Sequence, residues 1–464
     1  MSHPCSPLSP AALPAVTDAS LPAALGLFRQ VLSEKFLQQI LQKEKRRQNN
    51  RVYTVAVVMW LMILQRLQGS GTLQTAVLEL LRGLPPSFWP QPCKRLQPGP
   101  PKRPLSSHTG AYNTARQELP VRIVEQCFDR VFDQLSQQAA GWLPQSAQRA
   151  FFFDGTSVRM PHSQTLLQKY PPGVNQHGES HWPLIRMLVA HDLYTGLALR
   201  PEWGAMHGGE AVSEQGLLET AIQRLQHGSV VVGDANFGVF SVAYAAVQRG
   251  HPVVLRLTAA RAHRLAGEAL HGGIDRRLHW SPSRDDRRNH PSLPAAASVA
   301  GRLLVRLVQP SDGSQPFLLA LFSTLETGAD GIFQLYGYRW NIETDLRSLK
   351  GTLKLEQLTC TTPEMVAKEI DLAMLAYNLV RMVTYSAAQK AGLPPRSFSF
   401  TRVRNVVNAF APLLAIADER QAAELLDKMM YYVGQAKLPR RKQKRRSYPR
   451  AVWGKPLVYP KRKA

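Results

Sequence analysis

The sequence predicts an α/β fold, a mixed-sheet core interrupted by a β-rich insertion, with helical N- and C-terminal regions. Three observations predict it. At Ala150 the apolar periodicity changes from helical to strand-like. After that point short buried runs alternate with helical stretches, as a sheet covered by helices requires. Where one more helix is due, residues 259–328 intervene, rich in Arg, Gly and Pro, before it arrives at Ala329.

In chain order, residues 1–20 are rich in Pro, Ala and Ser and predict a loose N-terminus. Residues 21–145 read as a helical module. Its parts are a Gln- and Lys-rich amphipathic piece (Phe28 to Asn49), an apolar helix beginning TVAVVMWLMIL at Thr54, and helix from Thr109 through Val121 to Gln138. Lys43, Lys45, Arg46, Arg47 and Arg51 give it a basic edge. Residues 84–104 carry Pro85, Pro86, Pro90, Pro92, Pro98, Pro100, Pro101 and Pro104, which excludes helix or central strand and leaves a loop.

The core reads as residues 146–258 and 329–395. Phe151-Phe152-Phe153 is a strand ending in Asp154-Gly155-Thr156. Leu184 to His191 and Gly196 to Trp203 form a hairpin around Asp192-Leu193-Tyr194-Thr195. Helix follows at 211–226, strand at Val230-Val231-Val232 before Gly233-Asp234, helix at Phe240 to Gln248, and strand at Val253 to Leu257. Three strands, helix, strand, helix, strand is the order of a ribonuclease-H-like core. The insertion at 259–328 has strand-like runs at Leu303 to Leu307 and Phe317 to Phe322. Helix then spans about Ala329 to Leu349 and Pro363 to Ala391, residues 396–436 are helical, and residues 437–464 form a basic tail.

A hydrophobic share of 44% over 464 residues supports a folded chain and argues against disorder. The 57 Lys and Arg outnumber the 33 Asp and Glu, a net charge of +24 that points to a polyanion such as nucleic acid. From Lys437 to Ala464 there are 12 Lys or Arg and no acid, half of that excess. The four cysteines, Cys5, Cys93, Cys127 and Cys360, form no CxxC pair and have no zinc-ligand spacing. No secretory signal opens the chain, and the apolar stretch at Thr54 is too short to span a bilayer, so the expected partner is DNA in the cytoplasm and not a membrane. The absence of GxxxxGK[ST], or of GxGxxG after a strand, removes support for nucleotide-driven chemistry.

The chemistry gathers on YGYRWNIETDLRSLK, Tyr336 to Lys350. At roughly 100° per residue, Arg339 and Arg347 fall about 40° either side of Glu343, with Tyr336 and Lys350 within about 20° of it. A carboxylate among such cations stays ionised and makes a poor acid but a good metal ligand. Its Arg and Lys neighbours suit phosphate. Asp154 and Asp234 each follow a hydrophobic strand, where ligands collect in an open α/β sheet. Three hard oxygen ligands suit two Mg²⁺ or Mn²⁺ ions, which clamp the attacking and leaving oxygens of a phosphoryl displacement. Asp192, in its turn, has a sufficient structural role.

The spacing Tyr336-x2-Arg339-x3-Glu343-x6-Lys350 resembles the Y-R-E-K signature of the insertion-sequence-four family of DDE transposases. Asp154-Gly155-Thr156, with Arg159-Met160-Pro161 behind it, and Gly233-Asp234-Ala235-Asn236-Phe237-Gly238 resemble that family's two Asp motifs. Tyr377-Asn378-Leu379-Val380-Arg381 resembles the helix after its Glu, and Ala111-Tyr112 with Ala115-Arg116 resembles its N-terminal helical region. His162 departs from the pattern, since Asp is frequent there.

The resemblance implies cut-and-paste DNA transposition on a ribonuclease-H-like core. In it Asp154, Asp234 and Glu343 hold the metal ions, and Tyr336, Arg339 and Lys350 hold phosphates. Geometry adds Arg347 as a further phosphate contact. Release through a DNA hairpin would call for an aromatic to stack a flipped base, with Trp280 and Trp340 as candidates. The helical module would bind terminal inverted repeats, and a homodimer would pair the element ends on the bacterial nucleoid. The rival expectations are a metal-dependent nuclease without strand transfer and a non-catalytic DNA-binding descendant.

Overall fold

The computed structural model describes residues 23–45, 52–69, 71–84, 105–142, 148–175, 178–310 and 315–438. The expected loose N-terminus, the basic-edge residues Arg46, Arg47 and Arg51, the Pro-rich stretch from 85 to 104 and the tail beyond 438 lie outside them.

Six helices come first: α1 (Ala23–Val31), α2 (Glu34–Lys43), α3 (Val55–Gln68), α4 (Leu73–Arg82), α5 (Gly110–Glu118) and α6 (Val121–Gln138). Ser33, Thr54 and Thr72 each cap the helix that follows by accepting a backbone N–H. Ser33 therefore splits the amphipathic piece into two helices. Pro120, which has no N–H to donate, divides the stretch expected to run unbroken from Thr109 to Gln138.

The mixed α/β part follows: β1 (Ala150–Arg159), α7 (Gln164–Lys169), the two-stranded β2 (Val174–Asn175) and β3 (Gly178–Glu179), β4 (Leu184–Asp192), β5 (Glu202–Ala205), α8 (Glu214–Ala221), β6 (Val230–Gly233), α9 (Phe240–Gln248), β7 (Val253–Arg256), α10 (Ala259–Ala266), β8 (Asp275–Trp280), α11 (Arg284–Asn289), β9 (Val299–Val308) and β10 (Phe317–Ser323). Eight strands form one sheet in the order β5-β4-β1-β6-β7-β10-β9-β8. β1 pairs antiparallel with β4 and β4 with β5, while β1, β6 and β7 run parallel. β10 pairs antiparallel with β7 and with β9, and β9 with β8, so the strands of 259–328 extend the same sheet. Val230 to Gly233 is buried throughout, as a parallel strand covered on both faces must be.

The chain then runs through α12 (Ala329–Gly337), α13 (Trp340–Arg347), a π-helical turn (Ser348–Thr352), α14 (Pro363–Ala391), α15 (Phe400–Ile416) and α16 (Glu419–Gln435). α14 begins at the Thr362 cap with Pro363 in its first turn and stops at Gly392 in the left-handed conformation. It packs against α1, α3 and α6 on the N-terminal side and against α15 and α16, so one apolar core continues from the helices into the sheet. Among the described residues no helix is long and apolar enough to cross a membrane.

Candidate active site

Asp154 does not end β1, contrary to the expectation from sequence. The strand continues to Arg159 because β4 pairs with it over that whole length, Asp154 lying opposite Val189. On its other side β1 does reach an edge there. Its last rung with β6 is Phe152 opposite Val232, and Asp154 and Asp234 each stand two residues beyond that rung. Two parallel neighbours thus carry their acids to the same level, where β6 stops and β1 goes on with β4 as its one partner.

The Asp234 turn is built by its own motif. Asp234 Oδ1 accepts the Asn236 N–H at 2.9 Å, and the Asp234 carbonyl accepts the N–H groups of Phe237 and Gly238. Phe237 is buried, and at Gly238 a Cβ would collide with the Arg256 carbonyl oxygen of β7, so only glycine lets the turn close on that strand.

Burial pushes the Asp154 carboxyl up to about 6. The charge of Asp234 adds to this and Glu214 contributes further, against the Gly155 N–H and Arg339. Glu214, in the first turn of α8, went unnoticed in the sequence. It lies against Gly155, where a Cβ would strike its carboxylate, and accepts a hydrogen bond from Asn236 Nδ2 at 2.5 Å. Nothing in its local sequence marks it beyond a Ser213 cap, and only the packing of α8 against β4 and β5, beside β1 in the sheet, brings it here.

The third acid arrives on a broken helix. The single helix expected from Ala329 to Leu349 separates into α12, α13 and the π turn. From Tyr338 to Ile342 the backbone bonds run to the third residue back: Tyr338 to Leu335, Arg339 to Tyr336, Asn341 to Tyr338 and Ile342 to Arg339. This overwinds the chain, and the π turn unwinds it again, so the even 100° spacing does not hold. Tyr336 is buried, Arg339 is partly covered, Glu343 is 44% exposed, Arg347 is exposed and Lys350 is half-buried in the π turn.

Arg339 is the link. Its Nη2 lies 3.8 Å from Glu343 Oε1, and its charge also reaches Asp154 and Tyr336. Among the described residues the buried Tyr336 hydroxyl has no partner at good hydrogen-bond geometry, Arg256 being the donor that acts on it. Burial raises its pKa to about 12, with Arg339 and Arg256 pulling down and Asp234 pushing up. Arg256 closes β7, the third parallel strand, so a basic residue at that strand end was a signal the sequence did offer. The structure therefore brings Asp154, Asp234, Glu214, Tyr336, Arg256 and Arg339 into one neighbourhood, with Glu343 attached through Arg339. Arg347 and Lys350 have no contact with the carboxylates among the described residues.

The donors are hard oxygens crowded by like charge, which is the chemistry a divalent cation relieves. Among the described residues, however, no three His, Cys, Asp or Glu side chains lie close enough together to hold a metal ion.

The two tryptophans part company. Trp280 is 4% exposed and forms T-shaped ring pairs with Phe240 at 6.0 Å and Phe322 at 4.8 Å between ring centres. This corrects the expectation that it offers a face to a base, since the ring is enclosed in the core. Trp340 is 66% exposed, with the Arg339 guanidinium 5.3 Å from its ring centre. Asp192 behaves as its turn suggested. It is buried, its Oδ1 accepts the Tyr194 and Thr195 N–H groups, and its Oδ2 pairs with Arg149 at 2.8 Å.

Comparison with known proteins adds two findings. A family model described as the transposase DDE domain matches residues 145–379. Over 313 residues the chain is 24% identical to the transposase InsG for insertion sequence element IS4 of Escherichia coli (strain K12), covering 66% of this chain and 68% of that protein.

Proposed function

Because this chain belongs to the insertion-sequence-four family of DDE transposases, we propose that it excises and inserts its element by metal-dependent strand cleavage followed by strand transfer. The observation that carries this reading is the level pairing of Asp154 and Asp234 on β1 and β6, with Arg339 shared between Asp154 and Glu343. The strand order β5-β4-β1-β6-β7, antiparallel then parallel, supports a ribonuclease-H-like core, with β8, β9 and β10 as the insertion.

Asp154, Asp234 and Glu343 would hold two Mg²⁺ or Mn²⁺ ions. Bound there, the ions supply Lewis acidity to the scissile phosphate and an activated attacking oxygen. An incoming phosphate would take over the Arg339 guanidinium and leave the Glu343 carboxylate free to act as a ligand. Tyr336 would donate its hydroxyl hydrogen to a phosphate oxygen, a role its raised pKa suits because the proton stays on. Arg347 and Lys350 extend the cationic path along the DNA. Trp340, exposed beside Arg339, is the ring available to stack an unpaired base during hairpin formation. The N-terminal helices would bind the terminal inverted repeats, two protomers would pair the ends, and the work would take place on the nucleoid in the bacterial cytoplasm.

The test uses labelled element-end DNA with Mg²⁺. Asp154→Ala, Asp234→Ala and Glu343→Ala should each reduce cutting by about 100-fold or more while DNA binding survives. Chelation should have the same effect on the wild type. Mutants that still cut would end the assignment, and hydrolysis without joined products would make the protein a nuclease.

A further inference from the structure

Between α3, α4 and α5 on one side and residues 353–372 on the other lies a cavity of about 540 Å³, away from the carboxylates. The geometry points to this cavity as a binding site for a phosphate-bearing ligand about the size of a mononucleotide, held by Arg116 with Lys354 at the rim. This goes beyond the transposition reading and does not depend on it.

Arg116 carries the inference. It is only 9% exposed, yet no carboxylate pairs with it among the described residues. Among the described residues its Nη2 donates only to the Cys360 thiol, at 3.5 Å, its guanidinium lies 5.6 Å from the centre of the Tyr112 ring, and its Nε is buried without an acceptor, so no anion balances the charge. A buried guanidinium is ordinarily paired, because leaving the charge without a partner in a poorly hydrated site is costly. Its charged neighbours make matters worse, since Arg66 and Lys368 are close enough to repel it.

Glu369 is the one acid among the described residues lining the cavity, and it is already occupied. It pairs with Arg66 and accepts the Thr359 N–H and hydroxyl and the Cys360 N–H. Lys368 is turned away, with its Nζ donating to the Arg116, Gln117 and Leu119 carbonyls. The cavity thus keeps an excess of positive charge that an anion would balance.

The walls suit the rest of such a ligand. Asn113 and Thr361 offer polar contacts, while Leu353, Met365 and Leu372 give an apolar side for a base or sugar. Lys354 at the rim holds φ at +57°, a left-handed conformation that a lysine rarely adopts and that tends to mark ligand clamps. The volume falls within the range of small-ligand sites. The ligand could be a free nucleotide or the terminal nucleotide of a 5′-phosphorylated DNA strand, which share the same chemistry.

Titrating the full chain with dAMP and with inorganic phosphate at constant ionic strength, by calorimetry, tests the inference. Saturable one-site binding is expected, tighter for dAMP. Arg116→Met should weaken it by about tenfold or more and leave the melting temperature unchanged or higher, because an unpaired buried charge contributes little to folding. Lys354→Gln should weaken it about threefold.

A second arm compares 5′-phosphorylated with 5′-hydroxyl DNA. A preference for the phosphate that disappears in Arg116→Met assigns the site to a DNA end, and no preference assigns it to a free nucleotide. If Arg116→Met does not fold, Lys354→Gln and Asn113→Leu at the rim carry the same test. Non-saturable binding by the wild type, or wild-type affinity in the variants that fold, overturns the inference.

Discussion

Asp371 on α14 illustrates how one enclosed carboxyl makes the protein sensitive to pH. Burial pushes it up to about 7, with Arg200 opposing and Glu125 and Asp129 reinforcing the rise. Its folded pKa exceeds the unfolded value of about 3.9, so the folded chain keeps a proton that the unfolded chain releases. The resulting stability is present below about pH 4 and is lost as pH rises through 7. Asp371→Asn should therefore melt like the wild type near pH 4. Near pH 8 it should be the more stable by about 4 kcal/mol, the distance between the two pKa values expressed as free energy. If the variant is less stable at pH 8, then Arg200 and Arg224 already match the charge in the folded state.

At the level of elements, α13 is held by a residue that does no chemistry itself. Asp345, two positions past Glu343, is fully buried between Arg381 of α14, with which it forms an ion pair, and Arg396, at 2.5 Å. Burial alone would raise its pKa, but Arg396 and Arg381 outweigh it and hold the carboxyl low. Arg381 also donates to the Tyr377 hydroxyl at 2.8 Å, and Asn378 bonds both backbone groups of Ala198, so α14 is tied to α13 and to the chain after β4. Asp345→Ala would strand two guanidiniums in the core and should cost about 3–5 kcal/mol in urea denaturation. Cutting should fall more than DNA binding, because Glu343 loses its footing while the basic surface remains. Equal losses of both would mean that the network serves the fold in general and not α13.

The whole molecule is a cation with its excess charge concentrated at one end. Residues 437–464 hold 12 of the basic side chains and no acid. Such a segment should bind phosphate without regard to sequence and release counterions as it does so. Removing residues 439–464 should flatten the dependence of nonspecific DNA affinity on salt while leaving discrimination for the element ends. An unchanged salt slope in filter binding or anisotropy would show that the tail does not touch DNA. The other scale-wide feature is α14, which packs N-terminal and C-terminal helices onto one core, so a disturbance at Asp345 or Asp371 is felt by both.

Much of the succession of strands and helices along the core could be read from the sequence, because a buried parallel strand such as Val230 to Gly233 is a short apolar run. Asp234, just past β6, is a local pattern of this kind, whereas β1 runs on through Asp154 because β4 pairs with it. Other features depend on segments far apart in the chain. Periodicity carried no sign of the overwound turn at Tyr338, since it assumes a regular helix, and it could not tell the enclosed Trp280 from the open Trp340. Glu214 reaches Asp154 only because α8 packs against β4 and β5, next to β1. Arg116 is left without a carboxylate in its cavity because Glu369 is already bound to Arg66. Composition and local pattern set which chemistry the chain carries, while long-range packing decides which charges meet, since Coulomb and burial effects depend on distance in space and not along the chain.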